Sequence, residues 1–289
     1  MNHTSVLPID RSAGLALDPK AARRIGDELS SDYCFAEPFP HIVLDDFLPA
    51  EVARLALDHF PTETLASDRV FEMGYAGHFK RQILPEECDA EARRLFHFFN
   101  SQPFLEFLEG LTTITGLLPD PYFNGGGFHE TGRGGKLGVH ADFRINEQLH
   151  LHRRLNVIVY LNERWEHDWR GQLELWSRDM SRKEKEVEPI FNRAVVFNTD
   201  ESSYHGHPDP LETPDGVKRR SIALYYYTAS KGIYDEVPNT STMYAARPGD
   251  DAGTRREARG LRLDQHLRQW TPPAMQRFVF GLKRRMTGR

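Results

Sequence analysis

The sequence of 289 residues predicts a mainly β fold, a sandwich or barrel, with helices flanking it. Two observations predict this class. Short apolar or alternating runs separated by turn residues recur between about residue 120 and residue 230. Helical periodicity is confined to the segments before and after them. Strands that follow one another without intervening helices argue against a βαβ fold.

The predicted strands fall within residues 119–232, which we take as the core. LNVIVYLN (155–162) is a β-branched run long enough for a buried strand. Seven glycines between residues 125 and 138 disfavour a helix and predict short strands joined by turns. The other predicted strands are QLELW (172–176), KEVEPIF (185–191), AVVFNT (194–199) and RSIALYYYT (220–228).

Residues 1–118 are predicted to form an extension of helices and strands that packs on this core. Residues 1–36 are polar and mixed, which suggests a loosely packed lead-in. HIVLDDFL is typical of a short strand, and a helix is expected to begin at Pro49. We expect loops and at most one strand in 64–87, then a helical pattern over 89–110 that Pro103 interrupts.

Residues 233–289 are predicted to form a loop and a basic helix. The stretch 235–264 is polar and indicates a loop or a lid, and 265–289 has apolar residues that suit a helix. From residue 255 onward the sequence contains ten Lys and Arg residues but only two acidic residues, Glu257 and Asp264. The pattern indicates a surface helix docked on the core, with contact to a membrane or an acidic partner as the alternative.

Composition excludes several classes of protein. The net charge of −5 and the hydrophobic content of 39% are ordinary for a soluble domain, so we predict no nucleic-acid partner. No apolar run approaches the ~20 residues of a membrane span, and the N-terminus lacks the pattern of a signal peptide. Cys34 and Cys88 give no disulfide framework. A cytoplasmic location is the simplest expectation.

A metal site is predicted from the order His-x-Asp, strand, His, strand with arginine. His140 and Asp142 share one face if their segment is extended, so both can reach one ion. The third ligand comes from His205 or His207, and we favour His205 because it directly follows Tyr204, where the chain re-enters the sheet. His207 precedes Pro208 and is expected to support the site from a loop or from behind the ligands.

The ligand types leave the metal open. Two imidazoles and one carboxylate suit Fe(II), Mn(II), Co(II) or Zn(II), and a hydrolytic zinc centre can use the same set. Arg219 and Arg220 favour an oxygenase over a hydrolase. A buried arginine is costly without an anion, and a dicarboxylic cosubstrate can supply one.

Taken together, residues 120–230 resemble the prolyl-hydroxylase-like group of Fe(II)/2-oxoglutarate-dependent oxygenases. The similarity lies in GVHADF, RRLNVIVYLNERW, GQLELW, VVFNTDESSYHGHP and RRSIALYYYT, which occur in the family's order. The resemblance implies a double-stranded β-helix, a jelly-roll related to cupins. It also implies Fe(II) as cofactor, with 2-oxoglutarate and O2 as cosubstrates.

The resemblance also implies roles for individual residues. His140, Asp142 and His205 match the metal ligands. Arg219 matches the arginine that pairs with the distal carboxylate of 2-oxoglutarate. Arg220 is the alternative if the register shifts, because successive strand residues face opposite sides. Tyr160 matches a strand tyrosine that hydrogen-bonds the same carboxylate. Asn156, four residues earlier, points to the same face of the strand and is expected to assist.

The function implied is hydroxylation of an unactivated C–H bond, with release of succinate and CO2. We expect the substrate to be a prolyl or other amino-acid residue in a protein or peptide. Asp142 supports hydroxylation, since halogenating relatives replace this carboxylate. The alternatives are a small-molecule tailoring oxygenase, a non-enzymatic cupin-like metal-binding module and, least favoured, a zinc hydrolase.

Overall fold

The structure, a computed structural model, describes residues 5–63, 68–71, 77–229 and 242–270. The helices are α1 (Pro19–Cys34), α2 (Ala50–Asp58), α3 (Ala90–Phe99), α4 (Gln102–Thr112) and α5 (Ala252–Trp270), with 3-10 turns at Pro85–Glu87 and His167–Trp169. The strands are β1 (His41–Leu44), β2 (Arg69–Phe71), β3 (His78–Ile83), β4 (Leu118–Pro119), β5 (Gly127–Ala141), β6 (Ile145–Asn146), β7 (Leu151–Tyr160), β8 (Leu173–Trp176), β9 (Lys183–Val187), β10 (Ala194–Asn198), β11 (His205–His207), β12 (Arg219–Ala229) and β13 (Met243–Tyr244).

Antiparallel strands form the nearly closed barrel of a jelly-roll double-stranded β-helix, so the predicted fold class is confirmed. The larger sheet runs β1-β10-β7-β12-β5, and β5 continues into a smaller sheet of β5-β11-β8-β9. The first part of β5 pairs with β12, and its last residues pair with β11 and β13. Strand β5 therefore joins the two sheets at the place where the predicted metal ligands lie.

The glycine-rich segment differs from its prediction. Instead of several short strands joined by turns, Gly127–Ala141 is a single strand of 15 residues. Gly127 and Gly134 have positive φ angles of 110° and 75°, which only glycine adopts freely. These residues allow one long strand to change direction without ending.

The N-terminal lead-in also differs from its prediction. Residues before α1 pack tightly, because Leu7 and Ile9 are buried in the main core. Asp18 caps α1 by accepting a hydrogen bond from the Ala21 amide at 2.7 Å, and Pro19 occupies the first turn. The segment 64–87 holds two strands, β2 and β3, where at most one was expected.

The remaining helices largely follow the predicted pattern. Helix α2 begins directly after Pro49, and the pattern over 89–110 divides into α3 and α4, with Pro103 in the first turn of α4. The polar stretch predicted as a loop to residue 264 is helical from Ala252, so the loop prediction is wrong there. Residues 235–241 of the predicted loop or lid, and the part of the predicted helix after residue 270, lie outside the described residues.

Strand alternation separates two cores. On β7, Leu155, Val157 and Val159 pack against the helices, in a cluster that includes the aromatic rings of α3 and α4. The opposite face of the same sheet points into the barrel, where Tyr160 packs with residues of β8 to β10. None of the helices in the described ranges combines the length and hydropathy that crossing a bilayer requires.

Candidate metal centre

His140, Asp142 and His205 converge at the end of β5. His140 and His205 are directly paired across the antiparallel strands β5 and β11. Asp142 follows the last residue of β5, on the same side of the chain as His140. One ligand atom from each residue lies within 4.8 Å of the others, and all three side chains are buried. The fold thus brings together two residues that are close in sequence and a third that is more than 60 positions away.

The hydrogen bonds of both histidines orient them for metal binding. Nδ1 of His140 donates to the Gly138 carbonyl at 2.8 Å, and Nδ1 of His205 donates to the Ser203 carbonyl at 2.9 Å. A carbonyl can only accept, so each Nδ1 carries the proton and each Nε2 keeps its lone pair. Burial lowers the pKa of His140 to about 3 and also lowers the pKa of His205. Both rings are therefore neutral, the form that binds a metal.

The carboxylate of Asp142 is held from behind by two side chains. Arg153, which is 1% exposed, forms an ion pair with Oδ2 at 3.0 Å, and the Asn156 amide donates to the same oxygen at 2.6 Å. Asn156 in turn accepts from Arg153, whose guanidinium lies 3.6 Å from the centre of the Tyr225 ring. Burial favours a neutral Asp142, but Arg153 and the two histidines outweigh it and lower the pKa of this carboxyl.

These features fit an Fe(II) ion. Two neutral imidazoles and one ionised carboxylate meet on one side, each oriented by an outer hydrogen bond. Three protein ligands would hold the ion from one side and leave positions open for a cosubstrate. The same cavity contains the arginine that such a cosubstrate requires.

Strand register separates the roles of Arg219 and Arg220. Arg219 points into the barrel and is buried, with its Nε donating to the Gly171 carbonyl at 2.7 Å. Arg220 points the opposite way and pairs with Glu130 at 2.9 Å. In the part of the chain that the structure describes, no carboxylate forms an ion pair with Arg219. Arg219 thus presents a buried guanidinium to the inside of the barrel, and its hydrogen-bond partners among the described residues are neutral groups.

Tyr160 and Asn156 lie at different places in the barrel. The Tyr160 hydroxyl contacts Arg219 at 3.2 Å, and the guanidinium lies 4.9 Å from the centre of the ring. Asn156 instead contacts Asp142, at the metal end. His207, expected in a loop or behind the ligands, belongs to β11 and lines the same cavity as the triad.

Two residues of the site were missed in the sequence. Lys80 of β3 pairs with Thr131 of β5, and Thr131 pairs with Arg219 of β12. These three residues form one row across the sheet and line one cavity. Burial and the neighbouring Arg219 lower the pKa of Lys80 to about 8. Arg153, the second missed residue, precedes an apolar run, and only its distance to Asp142 reveals its role.

The described residues enclose a cavity of about 230 Å³ around these groups. The triad lines this cavity together with Tyr244 of β13, whose ring centre lies 5.5 Å from that of His140 in a tilted arrangement. Arg219 and Lys80 line the cavity as well, so it contains both the metal ligands and two cations. His129 lines the cavity as well.

Comparison with known proteins agrees with this geometry. Residues 126–227 match the sequence family described as the 2OG-Fe(II) oxygenase superfamily. A search among curated proteins finds no significant match. The fold is similar to a prolyl-4-hydroxylase from Pseudomonas putida, with a TM-score of 0.51 and 20% identity over 70% of this chain and 98% of the other. A prolyl 4-hydroxylase from Phytophthora capsici gives a TM-score of 0.50 and 16% identity, over 76% of this chain and 72% of the other.

Proposed function

From the 2OG-Fe(II) oxygenase domain formed by residues 126–227, we propose that this chain hydroxylates an unactivated C–H bond of a prolyl or other amino-acid residue in a protein or peptide. In this reaction one atom of O2 enters the substrate, the other enters succinate, and 2-oxoglutarate loses CO2. Bound Fe(II) supplies the activation of O2 and of 2-oxoglutarate.

The observation that carries the proposal is a three-ligand metal site that shares one cavity with an inward arginine. A buried guanidinium without a carboxylate is unfavourable, and a dicarboxylic cosubstrate provides the missing anion. A metal-binding module without turnover has no need for this cation. A zinc hydrolase has no need for it either.

The roles of the pocket residues follow from their contacts. Arg219 binds the distal carboxylate of 2-oxoglutarate, and Tyr160 orients its guanidinium from the side. Lys80 adds a second positive charge in the same row and strengthens binding of the dianion. Asn156 acts at the other end of the cavity, where it and Arg153 fix the carboxylate of Asp142.

The metal cavity is partly open, with a volume of about 230 Å³ among the described residues. A residue of a peptide can enter such a space while the rest of the peptide stays outside. The retained carboxylate of Asp142 further supports hydroxylation.

We also propose that residues 1–118, 119–232 and 233–289 act as one catalytic domain. Strand β1 of the first part pairs with β10 of the core, and β13 of the third part pairs with β5 at the metal ligands. The first and third parts therefore contribute to the sheets that hold the site.

The function can be tested by incubating the protein with Fe(II), 2-oxoglutarate, O2 and a library of proline-containing peptides. We expect succinate to form, and mass spectrometry should show one added oxygen atom on a peptide. Oxidation of amino acids or other metabolites with no peptide product would favour the small-molecule oxygenase. Absence of succinate under every condition, with folded and metal-loaded protein, would contradict an oxygenase.

A further inference from the structure

A second cleft lies beside the metal centre, between α5 and the loop that joins β8 to β9. Its volume is about 450 Å³, and it is open to solvent. Arg178 contributes from the loop, and α5 contributes Arg255, Arg259 and Arg262. We refer to the space between these four residues as the arginine cleft.

The arginine cleft carries an excess of positive charge. Across the described ranges, none of its four arginines forms an ion pair with a carboxylate. Asp179 is the acidic residue in its wall, and hydrogen bonds from Ser177 and Ser181 engage that carboxylate. Four guanidinium groups against one carboxylate leave three positive charges unbalanced.

Helix α5 places three of the arginines on one face. Arg255, Arg259 and Arg262 are separated by four and three residues, so they are neighbours along the same side of the helix. Ala258, only 1% exposed, docks the helix on the protein. Like charges at these spacings repel one another, and an anion in the cleft would relieve that repulsion.

The arginine cleft and the metal cavity share one short segment of chain. Tyr244 pairs with His140 and lines the metal cavity, while the following residues 245–248 line the arginine cleft. Tyr204, which immediately precedes the ligand His205, lines the cleft as well. Because successive strand residues face opposite sides, the cavity and the cleft lie on either side of this edge of the smaller sheet, and a peptide bound at both would cross the edge.

We propose that the arginine cleft binds acidic side chains of the peptide substrate, a few residues away from the residue that is hydroxylated. This inference rests on the proposed function and adds a substrate preference to it. Guanidinium groups bind carboxylates in a planar, two-pronged geometry, which suits Asp and Glu side chains.

The charge distribution favours a short acidic segment over a nucleic acid. The whole chain has a net charge of −5, which repels a long polyanion. Asp179 stands in the wall of the cleft, and Arg247 at its edge is already paired with Asp209 and Asp250. Only a few carboxylates are needed to balance the remaining charge.

The test measures binding of a short fluorescein-labelled peptide with a proline followed by a run of glutamates. The control peptide has glutamine at each glutamate. Arg255→Glu/Arg259→Glu reverses the charge of the cleft. Arg256→Glu makes the same change at an exposed residue of the same helix that does not line the cleft.

We expect the acidic peptide to bind at least about 10-fold more tightly than the glutamine peptide at low salt, with the preference falling as salt rises. The double variant should lose this preference, and Arg256→Glu should retain it. Equal binding of both peptides, or equal loss in both variants, would overturn the proposal. So would binding of a phosphopeptide or an oligonucleotide in place of the glutamate peptide. Succinate formation, measured separately, shows whether the oxygenase itself is active.

Discussion

His205 and His207 lie on the same short strand, yet their contacts give them different roles. His205 pairs with His140 across the strands and belongs to the triad, whereas His207 pairs with Leu137 further from Asp142. The sequence allowed either histidine as the third ligand. The cross-strand partner, which depends on distant residues, distinguishes them.

We predict that His205→Ala weakens Fe(II) or Mn(II) binding more than His207→Ala does. The loss of a ligand should exceed the roughly 10–100-fold cost of losing an outer partner. Metal affinity measured by calorimetry without oxygen, together with circular dichroism to check folding, compares the two. A larger loss for His207→Ala would exchange their roles.

Lys80 gives the site a pH dependence. Its pKa near 8 means that the ammonium is charged below that pH and loses its proton above it. Its contribution to binding 2-oxoglutarate is therefore present below about pH 8 and falls as the pH rises. The bound dianion favours the charged ammonium, so the pKa of Lys80 is higher in the complex and the fall occurs at a higher pH. We predict that Lys80→Met weakens cosubstrate binding about 10-fold, or ~1.4 kcal/mol, at neutral pH.

Lys80→Arg is the matched control, because a guanidinium stays charged across this range. The pH range from about 7 to about 9 lies on either side of the pKa of Lys80. Over this range, the affinity of Lys80→Arg for 2-oxoglutarate should change less than that of the natural protein. If Lys80→Met binds 2-oxoglutarate as well as the natural protein does, Lys80 has no part in the pocket.

At the scale of elements, strand alternation decides which residues reach the site. On β12, Arg219, Ser221 and Ala223 face the cavity, whereas Ile222 and Leu224 face the helices. The sequence predicted through this alternation that only one of Arg219 and Arg220 faces the barrel, and the family resemblance pointed to Arg219. The sequence did not predict that Lys80 of β3 lies in one row with Thr131 and Arg219. The stretch around Lys80 is poorly periodic, and pairing between distant strands leaves no local signal in the sequence.

The contact between α1 and α4 depends on two glycines. A Cβ added at Gly26 would lie 2.3 Å from the Phe107 carbonyl oxygen, and one at Gly110 would lie 2.5 Å from the Arg23 carbonyl oxygen. Both atoms belong to backbone, which cannot move aside without shifting a helix. The two helices are thus packed backbone against backbone at this point.

We predict that Gly26→Ala lowers the free energy of unfolding by about 1–3 kcal/mol, because it overfills this contact. Denaturant unfolding measures the change. Gly260→Ala in α5 is the control, since no atom of the described residues lies within 4 Å of its added Cβ, and its effect should stay within ~1 kcal/mol or stabilise the helix. Equal stability of Gly26→Ala and the natural protein would show that the helices can separate at little cost.

At the scale of the whole molecule, the sequence predicted the barrel and the order of its principal strands. A buried β-branched run such as 155–162 carries its own signal, and this one appears as β7 (Leu151–Tyr160), which begins four residues earlier and ends two residues earlier than predicted. The strand formed by the glycine-rich segment and the packing of the lead-in were not predicted. Both depend on neighbours far along the chain, as Leu7 and Ile9 do in the main core.

The proposed function requires that one cavity hold both the metal triad and the anchor for 2-oxoglutarate. The most direct test is to add 2-oxoglutarate to the Fe(II)-loaded protein without oxygen and to follow the weak visible absorption band expected of this chelate. We predict that the band appears for the natural protein and for Arg220→Ala. Arg219→Ala should bind 2-oxoglutarate more weakly by roughly 2–5 kcal/mol, which is about 30-fold or more. No band with folded, Fe(II)-loaded natural protein would contradict the account, and so would equal affinities of the two arginine variants.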